Sequence, residues 1–99
     1  MASRLLIGTI LESANTVEIL VYVGEHPRCR KSDIYRNITR NAHTPEKLMA
    51  LRDLGLLDII DAGRSNVMFL TLTPKGEDVV EHLWRIERLL REDSGGDIL

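Results

Sequence analysis

The residue types able to hold a metal or act as a nucleophile are few and scattered in this 99-residue chain. His26, His43 and His82 lie far apart, and Cys29 is the single thiol. A metal site needs three or four converging ligands, and neither a C-x-C nor an H-x-x-x-H spacing is present. No metal and no cofactor are therefore expected. The chain also carries no phosphate-cradling glycine motif, no nucleophile elbow and no carboxylate pair set apart from surface charge, so it is read as no enzyme. Cys29 sits between Arg28 and Arg30 and has two readings. Flanking cations stabilise a thiolate and would suit an oxidation sensor, whereas a lone Cys at the start of a short strand is a small buried hydrophobe.

What remains is the chemistry of charge. The whole chain has 13 Lys and Arg against 15 Asp and Glu, a net charge of −2. From His26 to Gly55 there are seven bases, Arg28, Arg30, Lys31, Arg36, Arg40, Lys47 and Arg52, against three acids, Asp33, Glu46 and Asp53. That segment carries +4, and the remaining six bases and twelve acids carry −6. A concentrated positive field steers a protein towards a polyanion even when its net charge is negative. The alternative is ordinary solvated surface.

The elements that position these residues follow from periodicity and punctuation. Leu6, Ile7, Ile10, Leu11 and Ala14 suit a first amphipathic helix. Asn15-Thr16-Val17-Glu18 reads as a capping box for a second helix through Val23, ended by Gly24 and Pro27. Lys31 to Ile38 reads as a third helix. Thr44 as cap and Pro45 at the first helical position open a fourth, which Gly55 ends. Leu56 to Asp61 and Val67 to Thr73 then form a β-hairpin, with Met68, Leu70 and Leu72 on one face covering the helices. Thr73-Pro74 repeats the cap-then-proline signal before a last helix through Val79, Val80, Leu83, Trp84, Ile86, Leu89 and Leu90. The domain boundaries are expected at residues 1–14 for an N-terminal helix, 15–76 for the central unit, 77–92 for the C-terminal helix and 93–99 for a flexible tail. With 43% hydrophobic residues, the chain has the composition of one folded domain. Its longest apolar run, Ile19 to Val23, is about five residues, far short of the ~20 that span a bilayer. The segment Met1 to Gly8 lacks a small-residue cleavage site, and a cytoplasmic location without membrane contact is expected.

This mainly α architecture with a β-hairpin wing, an α+β class, is the element order of a winged helix-turn-helix. Three stretches carry the resemblance: Lys31-Ser32-Asp33-Ile34, Leu48-Met49-Ala50-Leu51-Arg52-Asp53-Leu54-Gly55-Leu56-Leu57 and Leu70-Thr71-Leu72-Thr73-Pro74-Lys75-Gly76. Together they resemble the helix-turn-helix, its exit and the return from the wing in ArsR- and MarR-type regulators and small archaeal winged-helix proteins. The resemblance implies a DNA-binding transcriptional regulator, usually a homodimer, with the fourth helix of this chain in the major groove and the hairpin tip near the backbone or minor groove.

By helical projection the fourth helix faces the core with Leu48, Leu51 and Gly55 and presents Glu46, Met49, Ala50 and Asp53 outwards. Carboxylates oppose phosphates, so base contacts are expected instead from the helix start and the turn before it: Arg40, Asn41, His43, Thr44 and Lys47. Lys31, Ser32 and Arg36 would hold phosphates. At the wing tip, Arg64 suits a narrow minor groove, with Ser65 and Asn66 beside it; the other reading is a turn chosen for its backbone geometry. The partner implied is double-stranded DNA, with no small-molecule ligand evident. The alternative, drawn from the acidic outer face, is a winged-helix protein-interaction module that binds no DNA.

The last helix has an apolar arc wider than one core contact needs. Val80, Leu83, Trp84 and Leu90, together with Leu5, Leu6, Ile10 and Leu11 of the first helix, are expected to pair with a second chain. The other arrangement has the first and last helices covering each other within one monomer.

Overall fold

The computed structural model describes residues 5–61, 63 and 67–96, the last four by backbone alone. The elements are α1 (Gly8–Leu11), α2 (Thr16–Glu25), β1 (Cys29–Arg30), α3 (Lys31–Asn37), α4 (Thr44–Asp53), β2 (Leu57–Asp61), β3 (Met68–Leu72) and α5 (Pro74–Gly96). Helices form one layer and a three-stranded antiparallel sheet of order β1-β3-β2 forms the wing.

Alternation in β3 separates the two faces of the sheet. The register sets Cys29 and Ile59 opposite Leu70, and Leu57 opposite Leu72, on the face turned to the helices. Arg30 and Ile60 stand opposite Phe69, and Asp58 opposite Thr71, on the other. Leu70, Leu57 and Cys29 are buried with Ile19, Leu20 and Val23 of α2, Ile34 of α3, and Leu48 and Leu51 of α4. Leu70 and Leu72 pack against the helices as expected, and Leu48 and Leu51 form the core face expected for α4. Met68, by contrast, is half-buried and lines a cleft with Arg30, Lys31 and Ser32 instead of covering the core.

The junction between α4, β2 and α5 is tightly closed. Gly55 takes φ +81°, a conformation that strains a side chain carrying Cβ. Thr73 Oγ1 donates to the Gly55 carbonyl at 2.6 Å and accepts from the Gly76 N–H at 2.9 Å, while the Thr73 N–H donates to Leu56 O at 3.1 Å. The side chain of Thr73 therefore caps α5 and ties it to the end of α4.

Several local expectations differ. α1 is a single turn rather than a helix across 6–14, and α5 runs past residue 92 to Gly96 because nothing before Gly95 interrupts its helical sequence. Asn15 adopts φ 68° and its Nδ2 donates to Glu18 Oε1, so the expected capping box is replaced by a side-chain pair outside the helix backbone. At α4 the residue before the helix is His43, and Thr44 is the first helical residue, its Oγ1 donating to Asn41 O at 2.7 Å. No helix among the described residues is long and apolar enough to cross a membrane.

Gly76 has no room for a side chain: a Cβ there would lie 2.0 Å from Leu56 O. Replacing Gly76 by Ala is expected to lower unfolding stability by more than about 2 kcal/mol, since backbone rather than a mobile side chain must yield. Urea denaturation monitored at Trp84 checks this; an unchanged midpoint would contradict the packing described.

Candidate nucleic-acid interface

The cations of the helix-turn-helix segment fall into three groups set by different elements. On α3, Lys31 is half-buried while Ser32 and Arg36 are exposed one turn apart. Asp33 fastens the start of that helix, accepting from the Arg30 N–H at 2.9 Å, and its other oxygen receives Arg36 Nη1 at 3.2 Å. Arg36 is thus oriented but remains in solvent, where such a pair contributes little stability.

The turn before α4 forms the second group. Thr39 Oγ1 accepts from the Asn41 N–H at 3.1 Å and Asn41 Oδ1 from the His43 N–H at 2.7 Å, an Asx-type turn that leaves Arg40, Asn41 and His43 exposed. His43 Nδ1 lies 3.4 Å from Glu46 Oε1. Two of the expected contacts are placed otherwise. Thr44 has no exposed surface, so its side chain cannot reach a base edge; its methyl and hydroxyl belong to the helix start. Lys47 Nζ donates to Ala14 O at 2.6 Å, fixing the α1–α2 link against α4 instead of extending into solvent. Arg64, Ser65 and Asn66 lie outside the described residues.

The third group is Arg28 and Arg30, which the sequence placed in the basic segment and beside Cys29 but not among the expected DNA contacts. Their guanidinium carbons stand 4.9 and 5.8 Å from the centroid of the Phe69 ring. Both lie within the ~6 Å range of a cation–π contact, worth about 0.5–1 kcal/mol at an exposed site. Beside them Arg30, Lys31 and Ser32 face Val67 and Met68 across a cleft of about 420 Å³ at the start of β3. The available signal was the alternation Arg28-Cys29-Arg30, cation out, thiol in, cation out, which makes a strand edge of the triplet.

That alternation also decides the cysteine. Cys29 is buried, and desolvation, reinforced by the Asp33 carboxylate, raises its thiol from 9.0 to about 11. The flanking arginines stack on Phe69 on the opposite face of the sheet and do not stabilise a thiolate. The sensor reading gives way to the buried hydrophobe.

On α4 the outer face carries Glu46, Met49 and Asp53 in solvent, as expected from helical projection. Arg52 Nη2 lies 3.5 Å from Asp53 Oδ1. The acids continue onto β2 with Asp58 and Asp61, so cations gather at the β1 side of the sheet and carboxylates at the β2 side.

The expected pairing surface divides in two. Ile10 and Val80 are buried in the core of their own chain and are unavailable to a second copy, because the four-residue α1 and the first turns of α5 lie directly on it. Leu83 is half-buried. Leu5, Leu6, Leu11, Trp84 and Leu90 are exposed, with Ile86 and Leu89. Leu11, Trp84 and Ile86 line a groove of about 510 Å³ against Val17, Val21 and Tyr22 of α2.

No protein-family model and no curated protein matches the sequence. Solved structures share its fold, FabT and MarR among them. The structure of Streptococcus pneumoniae FabT in complex with DNA superposes with a TM-score of 0.72 at 17% identity, over 88% of this chain and 62% of the other. That of MarR gives 0.73 at 17% identity, over 90% and 65% respectively. This chain therefore spans less than two thirds of either. The likeness establishes a winged-helix fold resembling MarR.

With its thiol raised to about 11, Cys29 is expected to react with iodoacetamide at pH 7.5 far more slowly in the native protein than in denaturant. Because the folded state holds the proton more tightly, this group's contribution to stability is complete below pH 9.0 and is lost as pH rises through about 11. Equal native and denatured alkylation rates would contradict the burial.

Proposed function

We propose that this winged helix is a transcriptional regulator that binds duplex DNA as a homodimer, with the start of α4 and the wing against the duplex. The observation carrying the reading is the segregation of charge on the fold: exposed Arg28, Arg30, Ser32, Arg36 and Arg40, with half-buried Lys31, against an acidic β2 edge. Phosphate neutralisation by such cations supplies sequence-independent affinity. Arg40, Asn41 and His43 precede α4, where residues of a recognition helix first meet base edges. The match to FabT, crystallised with DNA, supports the same reading.

The dimer rests on α5. Its stripe Val79, Leu83, Ile86 and Leu90 passes from half-buried to exposed along the helix, reaching 61% exposure at Leu90. Contiguous exposed apolar surface marks an association site. A two-fold axis through this stripe would place two helix-turn-helix units for neighbouring half-sites.

A second reading, a protein-docking module, is favoured by exposed Met49 between Glu46 and Asp53 on α4. It predicts a protein partner lost on Glu46→Arg or Asp53→Arg, with no DNA retardation at low salt.

Anisotropy of a labelled random-sequence duplex distinguishes them. Affinity is expected to fall at least tenfold between about 50 and 200 mM salt, and Arg36→Glu with Arg40→Glu to weaken binding and flatten the salt slope. Lys47→Met is expected to leave the slope unchanged, its ammonium being held by Ala14. Absence of binding at 50 mM would overturn the DNA reading. In sedimentation equilibrium the protein is expected at about twice 11.2 kDa, and Ile86→Glu with Leu90→Glu at the monomer mass; a wild-type monomer at micromolar concentration would remove the dimer.

A further inference from the structure

We infer that Arg28 and Arg30, set side by side on the ring of Phe69, form with Lys31 and Ser32 a phosphate anchor beside the start of β3 that grips the DNA backbone. This deepens the DNA-binding reading and rests on it. The anchor lies on β1, the start of β3 and the start of α3.

Three observations converge. The cleft of about 420 Å³ between Arg30, Lys31, Ser32 and Val67 and Met68 at the start of β3 has, among the described residues of its lining, cations and a hydroxyl but no carboxylate. Neither guanidinium takes part in a salt bridge among the described residues, in contrast to Arg36 and Arg52, which hold Asp33 and Asp53. Both are instead ordered by an aromatic face, at 4.9 and 5.8 Å from its centroid. A ring restrains a guanidinium without neutralising it, so the donors stay free for an oxyanion while rotamer entropy has already been spent.

The backbone is committed to the same end. Arg28 adopts φ 66°, a left-handed conformation uncommon for residues other than glycine. Its N–H donates to Leu70 O at 2.9 Å, which holds that turn against β3. Asn or Gly would occupy this conformation with less strain, and an arginine there places its long cation over the wing strand.

Phosphodiester is favoured over an acidic protein surface by the forked geometry of guanidinium, which suits two oxygens of one phosphate, and by continuity. From the cleft, Ser32 and Arg36 carry the polar face one helical turn further along α3.

The test measures duplex affinity and its salt slope for the full chain. Arg28→Asn with Arg30→Gln, which respects the left-handed backbone and keeps a side-chain stem, is expected to weaken binding at least tenfold and reduce the slope by about 1.8, the value for two phosphates. Phe69→Leu retains every charge and is expected to weaken binding several-fold with the slope unchanged, while Phe69→Tyr keeps the ring and binds as wild type. Thermal midpoints report folding; if Phe69→Leu unfolds, the exposed arginine pair decides alone. Wild-type affinity and slope in the double variant would overturn the anchor while leaving DNA binding intact. Absence of wild-type binding at 50 mM salt would overturn both. Unlabelled duplex is expected to displace the probe where poly-glutamate at equal charge concentration does not; equal displacement would show general polyanion attraction and overturn the phosphate assignment.

Discussion

The carbonyl of Leu56 sits where three elements meet. It accepts the Thr73 N–H, and Gly76 approaches it so closely that no side chain fits between them. Thr73 closes the same junction from the other side by bonding the Gly55 carbonyl. Through this contact the end of α4, the start of β2 and the start of α5 become one rigid corner. The direction of α4 is thereby fixed relative to the sheet, and the direction of α5 relative to both.

From that corner the two faces of the sheet take opposite roles. The inner face, Leu57, Leu70 and Cys29, supplies the floor of the core. The outer face supplies no packing for the helices, and its composition is free to vary with function. It holds an aromatic ring at its centre, two guanidinium groups on one side, and Asp58 on the other. Charges of one sign on one edge and of the other on the opposite edge give a small, net-negative protein a directional field. The same alternation buries the thiol of Cys29 and raises its pKa to about 11, so the residue most suggestive of chemistry in the sequence is a packing residue.

The helix that leaves the corner belongs to two environments. Val80 is buried and Val79 and Leu83 half-buried where α5 lies on the body, whereas Ile86, Leu89 and Leu90 continue beyond it in solvent. One amphipathic pattern therefore serves both the interior of the chain and a surface that water covers poorly. The groove between this segment and α2 extends the apolar surface back towards the body.

The sequence by itself determined the element order, the core face of α4, the inward alternation of Leu70 and Leu72 in β3 and the Thr73-Pro74 start of α5. These depend on local periodicity, capping and proline geometry, which act within a few residues. It did not determine which polar side chains remain free. Lys47 and Arg40 look alike in the sequence, yet the carbonyl that occupies Lys47 belongs to Ala14, thirty-three positions away. Thr44 reads as a cap, but the helix packing leaves it no exposed surface. The pairing of Arg28 and Arg30 with Phe69 arises only when β3 returns beside β1, since nothing local brings these residues together. Local sequence settles backbone conformation because its interactions are short in range. The assignment of each charge to solvent, to a ring or to a distant carbonyl belongs to the tertiary structure, because it requires partners that only the completed fold brings within a few ångströms.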